Sequence, residues 1–292
     1  FGGVLYGARY LTGILAIVAT VAGIYAAVVC KERTHMEQLE RRKRESFFSA
    51  VRGCARSWHF WRITIIYVIM LFIGPLFEIF GGYVTLWYVF QGDKKAMGII
   101  GGYTGMIGTA MGMIGILIFT RISNRFGKHN ALRTAIVLFI IGHLLKLVLY
   151  NPACPQLLYL TPFFFSIGIA ATFTILSALQ ADIVDVDELA SGQRREGMFG
   201  AVASVTMKSS GALATALAGF LVAMTKYDVT LGVNQPPGTF TAMRLLFSLG
   251  PIPFLLAVLA LLYKYPFTAQ RMEEIHQVLK RRHAAAASAQ AL

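Results

Sequence analysis

The chain has 292 residues, of which 56% are hydrophobic and 14% charged, with a mean hydropathy of +0.62. That balance excludes a soluble globular domain, which carries about 25% charged residues. Several apolar runs reach the roughly 20 residues that cross a bilayer, so the sequence is that of a polytopic membrane protein. The net charge of +13 does not point to a nucleic-acid partner, because the basic residues fall between apolar runs rather than on one solvated face. Cys30, Cys54 and Cys154 show no paired spacing, so neither a disulfide framework nor a metal site follows.

Seven spans are predicted, all α-helical. The first covers Tyr10 to Val29. A polar segment from Cys30 to His59 follows, dense in Lys and Arg. The second span, Arg62 to Phe90, is long enough to require tilt, and it contains Gly74-Pro75 and a carboxylate, Glu78. The third, Met97 to Thr120, carries Gly98, Gly101, Gly105, Gly108, Gly112 and Gly115 on one helical stripe, which lets a neighbouring helix approach closely. A basic loop from Arg121 to Arg133 precedes the fourth span, Ala131 to Tyr150. A turn with two prolines leads into the fifth, Leu157 to Leu179. The sixth covers Met198 to Met224. After a polar loop with Pro236-Pro237 comes the seventh, Phe240 to Tyr265. Thr268 is placed to cap a final helix with an apolar edge of Met272, Ile275, Val278 and Leu279, lying on the membrane or the protein underside. Ala284 to Leu292 read as a disordered tail.

Alternate loops hold most of the basic residues, around Arg41, Arg125, Arg194 and Arg281. The positive-inside rule places these in the cytoplasm. The seven spans then begin outside and finish inside. With a start at Phe1, this predicts a piece of a longer carrier whose earlier spans are missing.

The stretch from Gln180 to Gly211 concentrates the chemistry. It reads as a short charged loop containing Asp182, Asp185, Arg194 and Arg195, followed by a span with a lysine inside it, Lys208. A charge at the bilayer centre costs about 2.5–3.5 kcal/mol on insertion scales, so such a lysine faces protein or water. Ser204, Gly211 and Thr215 share its helical face, whereas Val205, Leu213 and Leu217 point elsewhere. A structural ion pair inside the bundle is the alternative role for Lys208. Glu78 is a candidate proton or ion-pair site, with Lys208 as a possible partner; the alternative is a neutral acid bonded to a hydroxyl. In the fifth span Ser166, Phe173, Ser177 and Gln180 share a face, with Phe173 either an aromatic platform or a packing residue. His143 and Lys146 lie toward the outer end of the fourth span, where a lysine snorkels and a lone histidine is usually structural.

Ala181-Asp182-Ile183-Val184-Asp185, together with Gly192, Arg194, Arg195, Glu196, Gly197 and Lys208, resembles the glycoside-pentoside-hexuronide:cation symporters, the melibiose-permease-like branch of the major facilitator superfamily. Arg121-Ile122-Ser123-Asn124-Arg125-Phe126-Gly127-Lys128 is similar to the superfamily's basic cytoplasmic loop, with Thr120 in place of the usual glycine and Asn124 in place of the usual aspartate. The resemblance covers nearly the whole chain. It implies a sixth span (1–29), a central cytoplasmic loop (30–59), a carboxy-terminal six-span bundle (60–265) and a cytoplasmic helix with tail (266–292).

By the same resemblance, Lys208 faces the central cavity. At the position of Phe173 the melibiose-permease-like carriers hold a tryptophan that packs against the sugar. Ser177, Gln180 and Ser204 complete the expected solute surface. Asp182, Asp185, Arg194, Arg195, Arg125 and Lys128 form the expected cytoplasmic gate, through ion pairs between bundles. The implied partners are a small solute, a monovalent coupling ion (Na⁺ or H⁺), the bilayer of the plasma membrane and an amino-terminal bundle that holds most of the ion-binding carboxylates. No other cofactor is expected. The expected function is cation-coupled symport of a sugar, glycoside or uronate. A lysolipid or other amphiphile is an alternative solute, and a non-transporting membrane scaffold an alternative role. No nucleophile-base spacing indicates an enzyme.

Overall fold

The computed structural model describes residues 2–30, 58–192, 195–263, 265–266 and 268–290. The basic segment 31–57, with Cys54, and Arg194 lie outside the described residues. The elements in chain order are α1 (Gly2–Val29), α2 (Trp58–Phe77), α3 (Ile79–Tyr83) running on as a π-helix (Val84–Val89), α4 (Lys94–Phe126), α5 (Lys128–Leu149), a 3-10 turn (Pro155–Leu160), α6 (Thr161–Ser191), α7 (Glu196–Met224), α8 (Thr239–Leu249), α9 (Pro251–Leu261) and α10 (Ala269–Gln290). Among the described residues, seven helical stretches are long and apolar enough to cross a membrane. The chain divides into two compact units, residues 1–46 and 47–292. In the first, α1 is a single uninterrupted apolar helix.

In the second unit, α6 packs along both α4 and α5, and α2 packs on α6 and α7, while α9 rests on α2 and α5. The main core collects Phe60, Ile63, Ile66, Leu132, Ile136, Phe139, Leu176, Leu179, Phe199 and Leu255 from these helices. Close approach depends on small residues. A Cβ on Gly115 of α4 would lie 3.0 Å from the Ile167 Cα of α6, and one on Gly168 of α6 would lie 3.1 Å from the Phe139 backbone of α5. The expected glycine stripe of α4 is only half used in this way. Gly108, Gly112 and Gly115 meet α6, whereas Gly98, Gly101 and Gly105 have open space beside them.

Several predicted boundaries are corrected. The basic loop 121–133 contracts to one residue, because α4 runs to Phe126 and α5 starts at Lys128, with Gly127 between them at φ 86°. A side chain there would be strained, so glycine permits a turn this abrupt. The acidic loop is also mostly helix. Residues 181–191 contain no breaker, and α6 continues to Ser191, ending at Gly192 in the left-handed region. The second span is not one tilted rod. Pro75 removes a backbone donor, the helix is interrupted at Glu78, and a π-helical stretch closes it. The seventh span is interrupted for one residue, Gly250, between α8 and α9.

The final helix packs on protein. Met272, Ile275 and Leu279 are buried against Val186 and Leu189 of α6, and Arg282 donates to the Leu189 carbonyl at 3.0 Å. Val278, expected on that edge, is exposed, and helix α10 continues to Gln290 where a disordered tail was expected.

Helix ends find specific partners. The Asp93 carboxylate accepts from the Lys95 and Ala96 N–H groups at 3.0 Å and caps α4. In the loop after α7, the Thr230 hydroxyl and N–H donate to Asp228 and hold its carboxyl below the ordinary range. At the other end of the bundle, Arg62 donates to the Leu261 and Tyr263 carbonyls and Arg133 to the Leu262 carbonyl. Two guanidinium groups thus satisfy the last carbonyls of α9, where the helix dipole is negative.

Replacing Gly168 with Val is expected to destabilise the bundle by about 1–3 kcal/mol through overpacking against Phe139. Replacing Gly101 with Ala meets open space and is expected to leave stability unchanged. Thermal unfolding in detergent measures both, and equal melting temperatures for the two variants would contradict this account of the α5–α6 contact.

Candidate functional site

Three clusters of polar side chains stand out against the apolar bundle. The first lies at mid-depth. The Tyr67 hydroxyl of α2 shares a hydrogen bond with the Ser177 hydroxyl of α6 at 2.7 Å, and the rings of Tyr67 and Phe173 sit 6.0 Å apart. Phe173 and Gln180 are half-buried, and Ser177 is exposed. On the other side of α2, Ser210 of α7 donates to the Val68 carbonyl at 3.1 Å. Neighbouring residues of α2 thus fix Ser177 and Ser210 at one depth. Lys208 is two residues from Ser210, about 3 Å along the axis, so it starts at the level of the Phe173–Ser177 patch.

Lys208 itself is exposed, as are Ser204 and Thr215 on its face. It lies twelve residues into α7, about 18 Å from the helix start. A lysine stem of about 6 Å does not bridge that distance to a headgroup. Of the large exposed side chains of α7, Leu213, Leu217, Phe220 and Met224 lie on a different strip of the helix, while Val205 borders the Lys208 strip. The helix therefore presents one strip suited to lipid and another suited to water or a polar partner.

The second cluster is at the end where the basic loops lie. Lys128 donates to Asp182 at 2.6 Å, with the Asp182 side chain only 5% exposed and that of Lys128 37%. Asp185 meets His276 of α10 at 3.1 Å. Ser123, Asn124, Gly127, Lys128, Asp182 and His276 border a cavity of about 210 Å³. The expected gate residues are therefore only partly brought together. Asp182 and Lys128 pair within one bundle, not between bundles, and Asp185 is held by the last helix. Arg125 is exposed beside Phe126, and Arg195 sits at the start of α7, where its carbonyl accepts from Met198 and Phe199.

The third cluster corrects two expectations. Glu78 pairs with Lys146, not Lys208, at 2.6 Å. Lys146 does not snorkel; it is 3% exposed, with its ammonium 3.8 Å from the centre of the Phe247 ring and 4.3 Å from that of Phe165. His143 is fully buried, edge-on to Phe139 and Phe165. Nearby, Arg244 donates to the Tyr88 hydroxyl and to the Leu147 carbonyl, each at 2.9 Å.

Sequence reasoning missed Tyr67, Arg244 and His276 and misjudged Lys146. For Lys146 a signal existed. Ala135, Phe139, Gly142, His143, Lys146 and Leu149 continue a single three-to-four residue repeat, the buried stripe of α5. The depth inferred from the span boundary outweighed that periodicity.

Seven membrane-crossing helices with charges paired or grouped inside them define a polytopic α-helical membrane protein. The chain belongs to the MFS/sugar transport protein family, whose model matches residues 6–269. It is similar to an uncharacterized symporter of Synechocystis sp., 32% identical over 140 residues, covering 46% of this chain and 25% of that protein. It is also similar to a glucuronide carrier protein homolog of Escherichia coli K12, 28% identical over 151 residues, covering 52% of this chain and 32% of the relative. A provisionally named glycoside/cation symporter of the same strain is 28% identical over 181 residues, covering 62% of this chain and 39% of the relative. The chain thus spans between a quarter and two fifths of the length of these relatives.

Removing either partner of the Tyr67–Ser177 bond, as Tyr67→Phe or Ser177→Ala, is expected to cost about 0.5–1.5 kcal/mol. The double variant should cost little more than the worse single change, because both remove the same bond. Additive losses in thermal unfolding would mean that the two residues act independently.

Proposed function

We propose that this chain forms part of a cation-coupled symporter that carries a sugar, glycoside or uronate across the plasma membrane by alternating access. The observation that supports it most is Lys208. It is exposed deep within a membrane-length helix, on a polar strip, at the depth of the Phe173–Ser177 patch. An ammonium in a low-dielectric corridor attracts a uronate carboxylate strongly and also binds sugar hydroxyls. Phe173 offers an aromatic face to the C–H side of a pyranose, and Ser177, Gln180 and Ser204 offer hydroxyl and amide partners. A relative named for a glucuronide and one named for a glycoside fit this chemistry. The coupling ion is Na⁺ or H⁺.

Access would be controlled at the basic end. Asp182 and Asp185 are held by Lys128 and His276 in this conformation. Arg125, Arg194 and Arg195 are the cations with which they would exchange partners in the other. Such pairs bias a two-state equilibrium by the difference in their strength between the states.

The reading is tested with the protein in proteoliposomes, measuring uptake of radiolabelled methyl glucuronide and methyl glycosides under imposed Na⁺ and H⁺ gradients. Lys208→Leu is expected to lower uptake more than about tenfold at unchanged protein incorporation, a loss of solute or transition-state binding. Lys208→Arg should retain part of it. Full flux in the leucine variant would remove Lys208 from the pathway. Competition by lysolipids rather than glycosides would move the substrate class to amphiphiles.

A further inference from the structure

The Glu78–Lys146 pair is not part of the solute surface, and three features set it apart from an ordinary structural ion pair. The first is its asymmetry. Lys146 is sealed at 3% exposure, while Glu78 is 35% exposed. The Glu78 side chain is therefore the more open member of the pair. The second is the aromatic box around the ammonium. Phe165 and Phe247 face it at 4.3 and 3.8 Å, so Lys146 keeps favourable contacts with its charge whichever form Glu78 adopts. The third is position. Glu78 occupies the interruption of a broken transmembrane helix, between the Pro75 segment and a π-helical stretch. Such breaks occur where transporters bind ions and where segments shift between states.

We propose that Glu78 is a proton-exchanging site of this protein, with Lys146 as its fixed counter-charge. One proton adds to a carboxylate oxygen of Glu78 to give the neutral acid, and leaves the same oxygen when the site opens to the other side. Protonation takes the pair from net charge zero to net charge plus one and leaves the Phe165 and Phe247 rings as the groups facing the ammonium. The groups that face the site are few. α5 contributes Lys146, with His143 one turn before it and Tyr150 one turn after, its ring 5.0 Å from that of Phe247. Among the described residues, α6 contributes Phe165. α8 contributes Phe247 and, nearby, Arg244, which is occupied by the Tyr88 hydroxyl of the π-helical stretch and the Leu147 carbonyl. Glu78 is the carboxylate of this cluster. The inference rests on the transport reading for its use, and it names the proton as a coupling ion.

Two measurements on the full-length protein in lipid decide it. Infrared difference spectra between acidic and neutral buffer, which need no solute, are expected to show the C=O band of a protonated carboxyl that Glu78→Gln abolishes. A band untouched by that change overturns the site. In proteoliposomes, accumulation of methyl glucuronide driven by an inward proton gradient is expected to fall at least about tenfold in Glu78→Gln, while solute counterflow, which moves no net protons, stays within about threefold. Proton-driven accumulation equal to wild type overturns the coupling role. Absence of counterflow in the wild type would instead reject the solute reading and leave the infrared result to decide the site. Should the glutamine variant fail to insert, Glu78→Asp carries the same decision: a shifted pH dependence of the band supports the site, and an unshifted one overturns it.

Discussion

A charge held at hydrocarbon depth must be paired, or must face water or a polar surface. Leaving it against acyl chains costs several kcal/mol, a large fraction of the stability of a whole domain. Two lysines of this chain meet that constraint in opposite ways. Lys146 is withdrawn into the bundle, bonded to Glu78 and boxed by two phenyl rings. Lys208 is left outside the core of its bundle, on a strip of small and polar residues. Much of the arrangement of α2, α5, α6 and α7 can be read as what those two solutions require. α2 carries the acid for one lysine, and its Tyr67 and Val68 set the depth of the surface around the other.

The same constraint governs the backbone. A broken helix exposes carbonyls and N–H groups that lipid cannot satisfy. Two helix ends in this bundle lie beside side chains able to answer them. Arg62 and Arg133 reach the last carbonyls of α9, and Arg244 reaches a carbonyl near the end of α5. These arginines act as helix caps delivered from neighbouring elements, which also fastens those elements together. Their charge is counted in the net +13 of the chain, but their work is done inside the fold.

Packing between the helices follows from small residues at the crossings. Without a hydrophobic drive between helices in lipid, close contact supplies the attraction. Gly115, Gly142 and Gly168 bring α4, α5 and α6 to within backbone contact. Gly101 and Gly105 of α4 have open space beside them and help floor a groove of about 580 Å³ against α6, edged by Phe165, the ring that also faces Lys146. At the opposite end, α10 covers Val186 and Leu189, which explains why α6 continues as helix beyond the apolar run.

Composition and periodicity were sufficient for the seven apolar helices, the all-α class, the glycine stripe and the unusual position of Lys208, because each of these is set by local spacing and by transfer from water to hydrocarbon. The motif around Asp182 was sufficient for the family. The lengths of α4 and α6 were masked by their polar ends, although residues 181–191 contain no breaker; Gly127 permits the abrupt turn after α4, and α10 covers the end of α6. The partner of Glu78 was not legible either. Glu78 and Lys146 are 68 residues apart in the chain, and nothing in the spacing of one span records which neighbour its charge will meet. Only the assembled bundle, by bringing Glu78 to Lys146 and closing Phe165 and Phe247 over the ammonium, decided that Lys146 is buried and Lys208 is not.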